Sequence, residues 1–178
     1  MKRVLLTLTA IAVLTVLFGF TAQTAHAQST ALTSEQIDKI KSNCTSIKST
    51  LNQLHASDAL LRVNRGQVYE SMASKLMDPF NSRLGSNRLD SKATSAVTTS
   101  YRDALNGFRN DYKSYEEKIS SALRINCFDE PELFYSTIEQ ARVNRAKVHD
   151  DVNKLHRYID DYRQAVGDFL LNFERISE

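Results

Sequence analysis

Tryptophan is absent from this 178-residue chain, proline occurs twice and glycine five times. All-β architectures need those two residues at their many turns, so such scarcity excludes them. The chemical signatures are missing as well. There is no C-x-x-C-H haem attachment, no Gly-rich phosphate loop and no G-x-S-x-G elbow. Serine and threonine are plentiful but lack a base with an orienting partner. His55, His149 and His156 follow the one histidine near the N-terminus. His149 and His156 share a helix face, yet no cysteine or carboxylate pair completes a tetrahedral set, and no Glu-x-x-His pair of the di-iron kind occurs. They read as solvated surface residues, with no metal, no cofactor and no catalytic residue expected. An excess of one charge is also lacking. Of the 23 basic residues, Lys2 and Arg3 belong to a leader, which leaves 23 − 2 = 21 against 21 acidic ones. A neutral chain has no electrostatic footprint for nucleic acid.

What is present is a folding composition of one-domain length, 42% hydrophobic and 25% charged. Met1-Lys2-Arg3 precedes an apolar run from Val4 to Phe20, and Ala25-His26-Ala27 is an A-x-A site. The pattern predicts a secretory signal peptide over 1–27, cleaved before Gln28; a retained N-terminal anchor is the alternative. No later stretch is apolar enough to span a bilayer. The remainder, 28–178, is expected as a single helical domain, periplasmic or secreted. In such a compartment Cys44 and Cys127 are expected to bond to each other, with an intermolecular bridge or free thiols as the alternative.

Three helices follow from the heptads. Thr33 and Gln36 form a capping box behind Leu32 and open a helix over about 33–80. Its seam runs Ile37, Ile40, Cys44, Ile47, Leu51, Leu54, Asp58, Leu61, Arg65, Val68 and Met72, alternating steps of three and four as coiled coils do. Pro79 should weaken that helix, and Leu84-Gly85-Ser86-Asn87 reads as the connection. A second helix over about 90–126 carries Tyr101, Leu105, Phe108, Tyr112, Tyr115, Ile119 and Ala122. Pro131 opens a third, to about 175, with Phe134, Ile138, Ala141, Arg145, Val148, Val152, Leu155, Ile159, Tyr162, Val166, Phe169 and Phe173. The fold class is all-α, an elongated up-down-up three-helix bundle with coiled-coil-like packing. The cysteines agree, since residues 44 and 127 are equidistant from the proposed first turn. A break near Ser57, giving four shorter helices, is the alternative.

One layer of this bundle is polar. Arg62-Val63-Asn64-Arg65 and Arg142-Val143-Asn144-Arg145 repeat the same four residues, each followed by a valine and an acid at matching spacing. Arg65, Arg145 and Asp58 occupy seam positions, and Asp103, Asn106, Arg109, Asp111 and Tyr112 fall on the facing stretch of the second helix. A buried guanidinium is costly unless paired. The layer is therefore a structural network using Asp58, Asp103 or Asp111, or an anion pocket, or a pair of arginines snorkelling to solvent.

Leu32-Thr33-Ser34-Glu35-Gln36 resembles the L-T-x-x-Q element of the Spy/CpxP-type periplasmic helical stress chaperones. The likeness covers five residues, occurs once instead of twice, and a disulfide-stapled rod departs from that family's cradle. The leading expectation is a non-catalytic helical interaction module of the cell envelope, a spacer, adaptor or surface component with a protein partner. The alternatives are a holdase-type chaperone, which needs an exposed apolar face, and a binder of small anionic ligands using the arginine layer. Apolar edge positions leave homodimer formation open.

Overall fold

Thr33 begins the first helix as its capping box predicts: its hydroxyl accepts from the Gln36 amide at 3.3 Å, and its own amide donates to Gln36 Oε1 at 2.8 Å. The computed structural model describes residues 31–177, so the leader expected at 1–27 lies outside the described residues. The elements are α1 (Ser34–Ser42), α2 (Cys44–Ser71), a π-helical segment (Met72–Met77), α3 (Asp78–Ser86), α4 (Lys92–Arg124) and α5 (Pro131–Ser177). Among the described residues there is no strand. The protein is an all-α bundle in which α1 to α3 make one pass, α4 returns and α5 makes the third. Cross-links confirm the antiparallel first turn: the Lys48 ammonium donates to the Ile125 carbonyl at 3.1 Å, and Asn81 donates to the Thr98 hydroxyl at 2.8 Å. Cys44 and Cys127 form a disulfide with their Cα atoms 5.6 Å apart.

The first pass is interrupted, but not near Ser57. Asn43 stands between α1 and α2 with φ −106° and ψ 10°, its amide side chain bonding the Lys39 carbonyl at 2.9 Å. Asp58 stays inside an unbroken α2 because its carboxylate is held from across the bundle and so does not cap a new helix. The second interruption is the π-helical segment. Proline in a straight α-helix collides with the carbonyl four residues earlier, here that of Lys75. The wider turn at Met72–Met77 relieves this, with the Asp78 amide reaching back five residues to the Ala73 carbonyl. Helix therefore continues through Pro79 to Ser86, beyond the expected end near 80.

Seam positions shift accordingly. Leu61 and Val68 are 48% and 57% exposed, whereas Tyr69, Ala73 and Met77 are buried. At about 100° per residue, Leu61 and Val68 lie about 60° and about 80° around α2 from the buried Asp58, whereas Tyr69 lies within about 20° of it. The π turn, with more than four residues per turn, then keeps the i, i+4 series Tyr69, Ala73, Met77 on one face. The pass ends in a Schellman arrangement: the Leu89 amide bonds the Leu84 carbonyl at 2.9 Å and the Arg88 amide bonds the Gly85 carbonyl at 3.0 Å. Arg88 occupies the left-handed region there at φ 57°, a place glycine usually takes.

The helices α4 and α5 pack along their lengths, and α2 stands further from both. The buried apolar residues form two groups, one around Tyr69, Met77, Tyr101, Phe108 and Leu155, the other around Tyr115, Ile119 and Ala141. The expected polar layer lies between them.

Candidate functional site

Asp58 organises this level. Its side chain is turned inward by α2, and the residue is only 9% exposed. Arg145 of α5 grips it bidentately, Nε to Oδ2 at 2.7 Å and Nη2 to Oδ1 at 3.0 Å. The Tyr115 hydroxyl of α4 donates to Oδ2 at 2.7 Å, so three helices meet on one carboxylate. Burial pushes the Asp58 carboxyl up, but the Arg145 and Tyr115 hydrogen bonds and the guanidinium charge outweigh it and hold the group below its ordinary value. The same carboxylate raises Arg145, chiefly through their hydrogen bonds, while burial and then Asp58 raise the Tyr115 phenol.

Around this node lies a cavity of about 260 Å³ between the three helices. From α2 it is lined by Asp58, Leu61, Arg62, Arg65 and Tyr69, from α4 by Phe108, Tyr112 and Tyr115, and from α5 by Arg145, Val148, His149 and Val152. The aromatic wall is ordered by edge contacts: Tyr69 and Phe108 sit 5.8 Å apart at 83°, Tyr112 and Tyr115 6.0 Å apart at 70°. The Arg62 guanidinium lies over the Tyr112 ring at 5.4 Å. Burial, followed by Glu116, pushes the Tyr112 phenol up to about 12. Each phenol is engaged: Tyr69 with His156 at 3.1 Å, Tyr112 with Glu116 at 3.3 Å, Tyr115 with Asp58. Glu116 also holds His55 at 2.6 Å.

The two copies of the repeated tetrapeptide have different fates. In the second, Arg145 takes Asp58, Asn144 donates to the Ser114 carbonyl at 3.1 Å, and Arg142 pairs on the surface with Glu139 at 2.7 Å. In the first, Arg62 stacks, Asn64 is exposed, and Arg65 stands at the cavity rim without an ion pair. Arg65 thus does not share Asp58, whose carboxylate is taken by Arg145 and Tyr115. Nor does Asp111 meet an arginine. It lies by Asp151, and burial followed by that second carboxyl raises it. Asp103 is exposed, and Arg109 clasps Glu70 of α2 and Asn106 at 2.6 Å.

Asp151 escaped the sequence reading. It is 3% exposed, held by the Lys154 ammonium at 2.8 Å, and its Oδ2 has no hydrogen-bond partner. Only its flanking period, three residues from Val148 and four from Leu155, hinted at an inward position. Tyr112, Tyr115, Phe108, Val148 and Val152 were legible as seam residues, but as a sealed core and not as the walls of a cleft. Among the described residues no cluster of three or more metal-ligating side chains occurs, and no helix is long and apolar enough to cross a membrane. The chain matches no family model, no curated protein and no solved structure.

Proposed function

We propose that this chain is an exported, non-catalytic helical binding module of the cell envelope, periplasmic or secreted, which serves as an adaptor, spacer or surface component and engages its partner at the central cleft. The observation that carries this reading is the cleft itself. A module with no binding role needs only a closed core, whereas here α2 stands away from α5 and leaves an aromatic and arginine-lined cavity between two apolar groups. The disulfide and the expected leader support an oxidising location.

The test is crosslinking of the full chain, exported by its own leader in its native cells, followed by mass spectrometry of what is captured. Leu61 lines the cavity and is half exposed, so Leu61→Trp fills its mouth without disturbing the core. Recurrent partners lost with Leu61→Trp and kept with Leu133→Trp, far away at the start of α5, support the reading; equal recovery from both variants refutes it.

A second reading, a holdase-type chaperone, draws on the outer side of the first pass. Leu60, Val63, Val68 and Leu76 are 63%, 46%, 57% and 51% exposed, which supplies apolar surface for unfolded clients. Capture of many unrelated, aggregation-prone proteins would favour it.

A further inference from the structure

We infer that the cleft takes an anion of a particular build, a carboxylate or phosphate head on a flat apolar body the size of a single aromatic ring; this rests on the binding-module reading and names its ligand chemistry.

The charge balance comes first. Three guanidiniums, those of Arg62, Arg65 and Arg145, line the cavity against one carboxylate, Asp58. Asp58 already accepts three hydrogen bonds and neutralises Arg145. The neighbouring acids are engaged elsewhere, Glu70 with Arg109 and Glu116 with His55 and Tyr112. Arg62 and Arg65 are left in excess. Where Arg145 is answered by a carboxylate, Arg65 at the equivalent position of the repeat is answered by none, and its planar fork suits an oxyanion.

The walls describe the rest of the ligand. All three phenols are occupied by protein partners, so the rings of Tyr69, Tyr112 and Tyr115 offer the cavity their faces and edges. Leu61, Val148 and Val152 add apolar surface. An apolar cavity of about 150 Å³ holds benzene. The volume here, about 260 Å³, accommodates one ring with a charged head at the arginine rim. An aromatic cage can also take a cation, but two unneutralised guanidiniums repel one.

Calorimetric titration of the full chain, with thermal unfolding alongside, tests this using phenylphosphate and benzoate, with benzyl alcohol, benzylamine and inorganic phosphate as controls. The expected result is binding of both aromatic anions, weaker binding of inorganic phosphate, and none of the amine. Arg65→Gln, which removes no ion pair or hydrogen bond within the protein, should weaken phenylphosphate by roughly tenfold and leave the ligand-free unfolding temperature unchanged. Equal affinity for benzyl alcohol, tighter binding of benzylamine, or an unaltered affinity in Arg65→Gln would overturn the anion assignment while a binding cleft survived. Inorganic phosphate binding as tightly as phenylphosphate would overturn the apolar body. Silence from every probe at millimolar concentration also refutes the assignment; loss of partners in Leu61→Trp would then show that the cleft binds something else, and their retention that the module reading fails too.

Discussion

Replacing Arg145 with methionine removes both guanidinium bonds to Asp58 and leaves a nearly buried carboxylate with Tyr115 alone. Breaking a fully buried ion pair costs about 3–5 kcal/mol, because the remaining charge is stranded. Arg145 is 51% exposed, and water entering the cleft can reach Asp58, so the expected loss is smaller. About 2 kcal/mol follows, or a fall of about 4–8 °C in unfolding temperature for a domain of this length. The pH dependence identifies the cause. In the wild type the Asp58 carboxyl lies below its ordinary value, so its contribution is present above the unfolded pKa and disappears as pH falls through the folded one. In Arg145→Met the lowering by the guanidinium is lost, so the folded pKa moves up and ionised Asp58 is less stabilised at neutral pH. The variant therefore loses less stability than the wild type on acidification. The gap between the two proteins is thus widest at pH 7 and closes below about pH 4. Arg145→Lys, which keeps the charge but not the fork, should recover roughly half of the loss. Urea unfolding at both pH values measures it. A methionine variant as stable as wild type at pH 7, or a gap independent of pH, would refute the buried-pair argument.

Three further outcomes follow from the same geometry. Reducing Cys44–Cys127, or replacing both with serine, opens a loop of sequence separation 83 and should lower unfolding free energy by up to about 4.5 kcal/mol, read as a shift in urea midpoint. Arg88→Gly relieves the left-handed backbone at the end of α3 and should stabilise by about 0.5–1 kcal/mol in the same assay. Asp111 is raised by burial and by Asp151, so the wild type gains stability from this group as pH falls and loses it as pH rises through the folded value. Asp111→Asn should remove that slope and leave the protein more stable at pH 7; an unchanged pH profile would show that the two carboxyls do not interact.

The first pass illustrates how far periodicity reaches. Its helical character, its capping box at Thr33 and its pairing with α4 through the cysteines are written in local spacing and in distance from a turn. Its seam is legible as far as Asp58 and fails beyond, because a heptad describes a supercoiled helix and α2 does not follow one to Val68. The effect of Pro79 was legible as a disturbance but not as its remedy. A single sequence shows that the ring must be accommodated, and the neighbouring packing selects a π turn over a helix end.

Composition and spacing alone determined an all-α chain, a disulfide bundle of three passes, and a polar level at Asp58 and Arg145, since burial pattern and charge are properties of residues in order. The tertiary structure decided which of two identical tetrapeptides would be neutralised. Arg145 faces Asp58 and Arg65 does not, because that outcome depends on the rotation of α2 about its axis relative to α5. It also decided that the level would open into a cleft: α4 and α5 pack closely along their lengths, while α2 stands further off and the aromatic-lined cavity lies between them. Helix rotation and separation are fixed by contacts between segments far apart in the chain, and no local pattern carries them.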